Sequence, residues 1–587
     1  MNGILSTLAT VWRIAVPYFR SEDRWAGRLL LAAVIAIELA IVGLTVLINS
    51  WNNAFYNALQ DRNWDVFVYQ LGYFCVLAAA FILLAVYQLY LNQWLQIRWR
   101  RWLTANYLER WLDHATHYRM QLVGDAADNP DQRIAEDVKQ FIDAGPTGIG
   151  IMPIGLGLLN SVVTLASFAV ILWNLSNAAP LTLFGMGYSI PGYLFWAALL
   201  YAVVGTTLTH WIGRPLIALN FTQQRYEADF RFNLVRVREN AEQIALLEGE
   251  HAERTRLLGR FGSVVANWMT IMTRQKKLTF LTAGYGQAAV VFPFIMASPA
   301  YFANKIQLGG LMQTASAFGS VQSAFSYFVD AYRRIAEWLA VVERLDGFDQ
   351  AILAAGNLAH TPPVVELAPS DGATVAFKDL VLRLPNGAPL VNATDISIAA
   401  GDKVLVNGPS GSGKSTLFRA LAGIWPFGSG TIEVPKNAKV MLLPQRPYFP
   451  IAPLAAAVAY PAEPGTFDGA KLAELIAAVG LTDLAGRIEE EAHWNRILSL
   501  GEQQRLGIVR AILHAPDYLF LDEATASLDE AAEAAVYRLI EERLKNTTLV
   551  SIGHRSTLAA FHRRRLTFKR EGDRFWLRDV GAAQAAE

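Results

Sequence analysis

The chain has 587 residues, with 51 Lys+Arg against 51 Asp+Glu, so its formal net charge is zero. That balance excludes bulk nucleic-acid binding, which needs a basic footprint. The single cysteine, Cys75, excludes a disulfide framework and a multi-cysteine zinc site. Apolar residues make up 53% and charged residues only 17%, which excludes disorder and leaves a globular protein, a membrane protein, or the two joined.

The average covers two compositions. Before residue 361, 52 of 360 positions are charged; after it, 50 of 227 are. The first part therefore reads as a membrane domain and the second as a soluble one. Residues 1–20 lack a continuous apolar core, and Pro17 and Arg20 precede the first long apolar run, so they are not a cleavable signal. Trp12, Ile14, Val16, Tyr18 and Phe19 fit either an interfacial elbow helix or packing against the first span.

Six runs, at 29–49, 72–95, 149–173, 190–212, 278–303 and 309–330, approach the ~20 residues a bilayer requires. The sixth carries Gln313, Thr314, Ser316, Ser320, Gln322 and Ser323. It counts as a span because an even number returns the chain to its starting side, and its polar residues are then expected to face a cavity. Glu38 lies in the middle of the first span, where a carboxylate is costly. Either it lines a cavity, binding cationic substrate or relaying a proton, or it sits neutral and hydrogen-bonded between helices.

The segments on one side of these spans hold 25 Lys+Arg; the opposite loops hold only Arg62 and Lys305. The asymmetry places both termini and the second half in the cytoplasm. Residues 222–256 mix charged and apolar positions at helical spacing and read as helical extensions of the spans. Ala, Pro and Gly enrich 346–371, which reads as a linker. The expected layout is an all-α membrane domain of six helices over 1–345, a linker over 346–371, and an α/β nucleotide-binding domain over 372–587.

In the second half, the strand-like DKVLVN (402–407) runs into GPSGSGKST, that is Gly408, Pro409, Ser410, Gly411, Ser412, Gly413, Lys414, Ser415 and Thr416, and then into a helical segment. This is a P-loop in its strand–loop–helix context: backbone N–H groups cradle phosphate, Lys414 supplies charge, and Ser415 offers a hydroxyl to Mg²⁺. YLFLDEATASLD (518–529) reads as a buried strand ending in Asp522, a Mg²⁺ ligand through water, and Glu523, a candidate proton acceptor. Gln445 and His554 end two further strand-like segments, and Ser499 with Gly501 opens a helix, whose N-terminus suits an anion.

In this order the five elements resemble the nucleotide-binding domain of ABC transporters. The resemblance implies that ATP and Mg²⁺ are the cofactors and that the chain is an ATPase. By it, Gln445 touches Mg²⁺ with Ser415 and Asp522, and Glu523, His554 and Gln445 are catalytic. Ser499 and Gly501 close over the γ-phosphate of the other subunit, and Asp529 matches the D-loop aspartate and counts with the nucleotide-binding residues. LSLGE stands at 498–502 where the family has LSGGQ, and FKDLVLRLPNG offers Phe377 but no evident adenine-stacking tyrosine. One chain holds one P-loop and one signature motif, so the resemblance implies a two-fold homodimer in the lipid bilayer.

FYNALQDRNWDVF (55–67), DNPDQRIAED (128–137), EADFRFNLVRVRENAEQIALLEGE (227–250) and the run at 336–348 look like the SbmA/BacA-type transmembrane domain; GIWPFGSG and LLPQRPYF look like peroxisomal D-type half-transporters. What this implies is an importer of peptides or bulky hydrophilic compounds, such as antimicrobial peptides or cobalamin, at the bacterial inner membrane. An exporter of lipids, acyl-CoA or amphiphiles on the same scaffold is the alternative. Asn129 to Arg133 are expected either on an intracellular loop docking on the nucleotide domain or in a capped helical turn. Loops 50–71 and 174–189 offer no domain for a periplasmic binding protein.

Overall fold

Long apolar runs become long helices, even where Pro215, Pro293 and Pro299 lie inside them. The structure is a computed structural model that describes residues 2–122, 129–143, 145, 148–178, 181–183, 186–188, 190–358 and 361–580. It divides into a membrane unit, Met1–Leu108 with Asn129–Asp346, and a nucleotide unit, Glu109–Asp128 with Gly347–Glu587.

The membrane unit begins with α1 (Asn2–Ala15), then α2 (Arg24–Gln60), α3 (Trp64–Leu112), α4 (Ile151–Ala178), α5 (Tyr193–Glu239), α6 (Glu250–Phe302) and α7 (Leu308–Asn357). Helices α2 to α6 are each long and apolar enough to cross a membrane. The sixth run lies in α7, which is as long but interrupted by polar side chains. The 222–256 segment forms the ends of α5 and α6, broken near Asn240 and again before Gly249. Within the 174–189 loop, Leu181–Leu183 (β1) and Met186–Tyr188 (β2) pair antiparallel; residues 179–180, 184–185 and 189 lie outside the described residues.

Two kinds of contact hold these helices together. Along α5 and α6, Gly205 brings the backbones close: a Cβ there would lie 2.2 Å from the Tyr285 ring. Tyr201 and Tyr285 stack with centroids 4.4 Å apart, and each hydroxyl donates to the other's backbone carbonyl. Between α2 and α7 the contact is a ladder of amides. Asn49 and Asn53 donate to the Gln313 carbonyl and side chain at 3.1 and 2.7 Å, Asn57 donates to Asn53, and the Gly309 N–H donates to Asn57. Side-chain amides glue helices where water cannot compete. The expectation that all polar residues of the sixth run face a cavity is therefore corrected at Gln313, bonded to α2, and at Thr314, buried and donating to Gly310 O. On the segment after Asn129, Asp137 is buried and pairs with Arg133 and, through both oxygens, with Arg344 of α7.

Residues expected as linker are partly structured. The Ala-rich stretch 351–355 propagates α7 to Asn357, and Glu366–Ser370 (β3) pairs with Gly428–Pro435 (β8); residues 359–360 lie outside the described residues. The remaining strands are β4 (Thr374–Arg383), β5 (Pro389–Ala393), β6 (Ile396–Ala399), β7 (Lys403–Asn407), β9 (Val440–Leu443), β10 (Tyr518–Asp522), β11 (Thr548–Ile552), β12 (Arg564–Glu571) and β13 (Arg574–Val580). They form one sheet in the order β3-β8-β4-β5-β13-β12-β7-β11-β10-β9, with β6 beside β4. β7, β11, β10 and β9 are parallel, so both faces are covered and the strands read as continuous apolar runs. Alternate residues serve opposite cores: Leu519 and Leu521 enter one, Tyr518 and Phe520 the other.

A segment far upstream belongs with this unit. Helix Thr116–Leu122 buries Arg119, which donates to Gly423 O, and Leu122 packs against the sheet core; Arg110 pairs with Asp349 at 2.8 Å. No sequence pattern announces this, because the two hydrogen-bonded pairs join positions 239 and 304 residues apart.

We expect Gly205→Val to overpack the α5–α6 contact and cost about 1–3 kcal/mol, read as a lower unfolding midpoint in detergent. Gly43→Val, where a Cβ meets nothing within 4 Å, should leave the midpoint unchanged.

Candidate functional site

The strand β7 ends at Asn407, and the P-loop turns directly into helix α8 (Lys414–Leu421). Gly413 is the helix N-cap, with φ +90°. A Cβ on it would lie 2.4 Å from Val391, so only glycine fits the turn that aims the N–H groups into the loop. Lys414 is buried, and its ammonium donates to Gly408 O and Pro409 O, both at 2.9 Å. Burial pulls its pKa down, opposed by Glu523 and Asp522. Ser412 is fully buried and its hydroxyl has no partner, as expected of a group awaiting a phosphate oxygen. Thr416 packs buried on the helix, while Pro409, Ser410 and Gly411 form the loop's outer turn.

Asp522 ends β10, and Ser415 Oγ donates to its Oδ1 at 3.0 Å. Burial pushes the Asp522 carboxyl above its usual range, with the Ser415 bond pulling the other way. A divalent cation between these two hard oxygen donors would restore the charged carboxylate. The orphan Ser412 hydroxyl, the glycine cradle and the Ser415–Asp522 pair fit a magnesium nucleotide. Next comes Glu523, held at φ +51°, an uncommon conformation for a side-chain-bearing residue. Its two oxygens meet different partners: Gln445 Nε2 donates to Oε2 at 3.2 Å, and His554 Nε2 stands 3.3 Å from Oε1. The structure thus brings Lys414, Ser415, Asp522, Glu523, Gln445 and His554 to one edge of the sheet.

Ser499 caps helix α9 (Leu500–His514). Its N–H and hydroxyl both donate to Glu502 Oε2, at 2.8 and 2.7 Å, and Glu502 N–H returns a bond to the hydroxyl. These bonds hold the Glu502 carboxyl below its usual pKa range. The glutamate that departs from LSGGQ therefore forms a capping box. Gly501 is close against the loop of Ser527 and Leu528: a Cβ would meet Ser527 O at 3.3 Å. Asp529 caps helix α10 (Glu530–Arg543) by accepting from Ala532 N–H at 2.7 Å. Phe377 is 2% exposed and packs in the sheet core, so it is not available to stack on adenine.

Sequence reading passed over Gln504. It is 1% exposed and joins three loops: its amide N–H₂ donates to Gln445 O at 2.9 Å and to Glu523 O at 3.5 Å, and its oxygen accepts from Ser527 N–H at 3.0 Å. No local signal marks it, because Gln503 and Arg510 are also buried on the same helix. Arg510, six positions on, is buried and donates to the carbonyls of Tyr448, Ala457 and Val458, with its guanidinium 4.7 Å over the Phe449 ring; burial lowers its pKa to about 10.

In the membrane unit, Glu38 is 7% exposed. Gln88 of α3 donates to one of its oxygens at 2.5 Å and Asn160 of α4 to the other at 2.6 Å. Asn160 also lines a cavity of about 480 Å³ with Thr45, Ser161, Thr164, Ser316, Ser320 and Tyr327 among its walls. Glu38 thus stands behind the cavity wall, joined to it through Asn160. Ser316, Ser320 and Ser323 do face this cavity, as read from the sequence.

Residues 14–302 match the family described as ABC transporter transmembrane region 2, and residues 391–526 match the family described as ABC transporter. An uncharacterized ABC transporter ATP-binding protein of Haemophilus influenzae is 36% identical over 96% of this chain and 92% of its own length. The chain belongs to the ABC transporters. Within them it is similar to the chloroplastic ABC transporter D family member 2 of Arabidopsis thaliana, at 34% identity over 98% of this chain and 89% of that one. It is also similar to a lysosomal cobalamin transporter of Mus musculus, at 25% identity over 95% and 94%. The fold is that of a bacterial Atm1-family ABC exporter with ATP bound, with a TM-score of 0.66 at 17% identity over 95% of both chains. The transporter is a D-family half-transporter, and its ATPase activity is coupled to transport.

Gln504→Ala should leave two carbonyls and one N–H unsatisfied in the buried loop junction. At about 1–3 kcal/mol per group, we expect turnover of ATP to fall at least about tenfold while nucleotide binding stays within about threefold. Steady-state hydrolysis and equilibrium binding, measured together, check this.

Proposed function

We propose that the transporter is a homodimer that imports peptides or bulky hydrophilic compounds, with ATP and Mg²⁺ bound at the sheet edge described above. The observation that carries the substrate class is the cavity of about 480 Å³ walled by hydroxyls and the Asn160 amide. Thr45, Thr164, Ser320 and Tyr327 already donate within the protein, so their oxygens remain to accept from a polar solute, a use that an acyl chain cannot make of them. The cobalamin transporter among the relatives is consistent with that chemistry.

In this reading Lys414 and the P-loop N–H groups would hold the phosphates, and Ser415, Asp522 and Gln445 would hold the Mg²⁺, which would supply charge neutralisation there. Glu523 accepts the proton of the attacking water. His554 and Gln445 hold its two oxygens in place, so the carboxylate is oriented before substrate arrives. Ser499 and Gly501 serve the nucleotide of the second protomer, and Asp529 positions the loop between them. Support for the homodimer comes from the extension of α5 beyond its span and from the segment that joins it to α6. Phe221, Phe232, Leu246 and Leu247 are 68–81% exposed there, and apolar surface of that kind outside a bilayer requires a covering partner. The Lys/Arg asymmetry supports a cytoplasmic position for the termini and the ATPase.

The exporter-type fold favours a second reading, outward movement of lipids, acyl-CoA or amphiphiles on the same scaffold. Proteoliposomes with the nucleotide site facing outward decide between them. Labelled cobalamin or a cationic peptide should leave the lumen on ATP addition, because outward-facing nucleotide sites invert the import direction. Glu523→Gln should retain ATP yet lower turnover at least about 100-fold and stop the flux. Full hydrolysis in that variant would sink the catalytic assignment.

Glu38→Gln preserves shape but replaces one of the two oxygens that accept from Gln88 and Asn160 with an amide N–H₂. If Glu38 serves the pathway, flux of a cationic peptide should drop at least about fivefold with ATP hydrolysis retained. Undiminished flux would reduce Glu38 to an interhelical bond.

A further inference from the structure

An apolar recess in the membrane unit is separate from the polar cavity. It lies between the elbow region and the spans, has a volume of about 650 Å³, and is walled by Val16, Leu31, Ile35, Ile151, Leu156 and Leu159. Its charged wall residues are Arg20 and Arg28. The two ends of the recess differ. Arg28 stands near the start of α2 and Ile35 seven residues further in, about 10 Å along the axis. On α4 the wall runs from Ile151, the first residue of the helix, to Leu159, a comparable distance. One end is therefore cationic and the other runs apolar into the span.

The cationic end keeps its charge. Neither Arg20 nor Arg28 pairs with a carboxylate among the described residues; Arg28 donates Nε–H to Phe19 O at 3.0 Å and lies 5.8 Å over Trp25. The adjacent Asp23 is engaged by Arg98 at 2.6 Å and by Arg101 at 3.9 Å. Glu22 is exposed but does not line the recess. Trp12 and Trp25, 67% and 65% exposed, mark the level at which indoles sit between headgroups and hydrocarbon.

A groove with two guanidinium groups at the headgroup level and only apolar walls above it complements one kind of molecule. We propose that it binds an anionic glycerophospholipid of the cytoplasmic leaflet, its phosphate between Arg20 and Arg28 and one acyl chain along α2 and α4. A second copy of this chain would have to bring a fixed anion and an apolar segment in the same register. The leaflet already supplies both, and arginine attracts its anionic lipids. The transported solute, for which the hydroxyl-lined cavity is proposed, is chemically different. Gly155 of α4 lines the groove, and a Cβ there meets nothing within 4 Å, so a side chain at this position fills the groove without displacing its walls.

Native mass spectrometry of the full-length protein in detergent tests this, with dioleoyl-phosphatidylglycerol, dioleoyl-phosphatidylcholine or inorganic phosphate added. We expect one phosphatidylglycerol retained per protomer, at least about fivefold over phosphatidylcholine. Arg20→Gln with Arg28→Gln should lower its retention roughly fivefold for each arginine removed, while ATP hydrolysis shows that the variant is folded. Gly155→Phe should exclude it. Equal retention of the two lipids by the native protein, or unchanged phosphatidylglycerol retention in either variant, would overturn the proposal. So would phosphate competing as well as the lipid, which would show an anion site without a lipid. Dissociation of the dimer by Gly155→Phe would show instead that the groove is covered by a second protomer, and would overturn it too.

Discussion

Parallel pairing of β7, β11, β10 and β9 is the constraint on which the chemistry of this transporter rests. Parallel strands all end at the same edge of the sheet, whatever their separation along the chain. Lys414 follows one strand, Gln445 another, Asp522 and Glu523 a third, and His554 a fourth. The register that sets Asp522 opposite Ile552 therefore also sets the distance from Glu523 to His554. Apolar burial on both faces of these strands holds that register, since a slip by one residue would exchange the two cores. The arrangement of polar groups at this edge is thereby maintained by side chains that take no part in it.

The membrane unit solves a different problem. Its helices gain little from apolar burial, because lipid is as apolar as leucine, and close backbone approach and amide bonding take its place. Gly205 and Gly309 permit the approach: a Cβ on Gly309 would lie 2.0 Å from Asn53 O. Asn49, Asn53, Asn57 and Gln313 supply the bonds. The same logic explains Glu38, whose two oxygens are each satisfied by an amide from a different helix. Polar side chains in this unit thus divide into those that join helices and those that remain available to the cavity, and α7 carries both kinds within a few residues.

Much of the nucleotide site was legible in the chain because its chemistry is local. A phosphate loop needs glycines, a lysine and a hydroxyl in fixed order, and the strand and helix around it announce themselves by composition. Gln504 was not legible, since its three partners lie 19 to 59 residues away and nothing near it marks a junction. Glu502 was visible as a departure from the family, but its role in capping Ser499 emerged only from the helix that begins there. Phe377 illustrates the reverse: an aromatic in a suggestive position whose strand faces the core.

Composition, charge asymmetry and motif order by themselves determined that an apolar, helix-rich half precedes an ATPase, and they marked the apolar runs and the P-loop. These are one-dimensional properties: a bilayer reads apolar length, and a phosphate reads consecutive backbone N–H groups. Only the tertiary structure decided which polar side chains of the sixth run bond to α2 and which line the cavity. It alone placed residues 109–122 with the nucleotide unit and set Glu38 behind Asn160. Those outcomes depend on which helix face meets which neighbour, and side-chain contacts between positions hundreds of residues apart leave no period or spacing in the sequence to read.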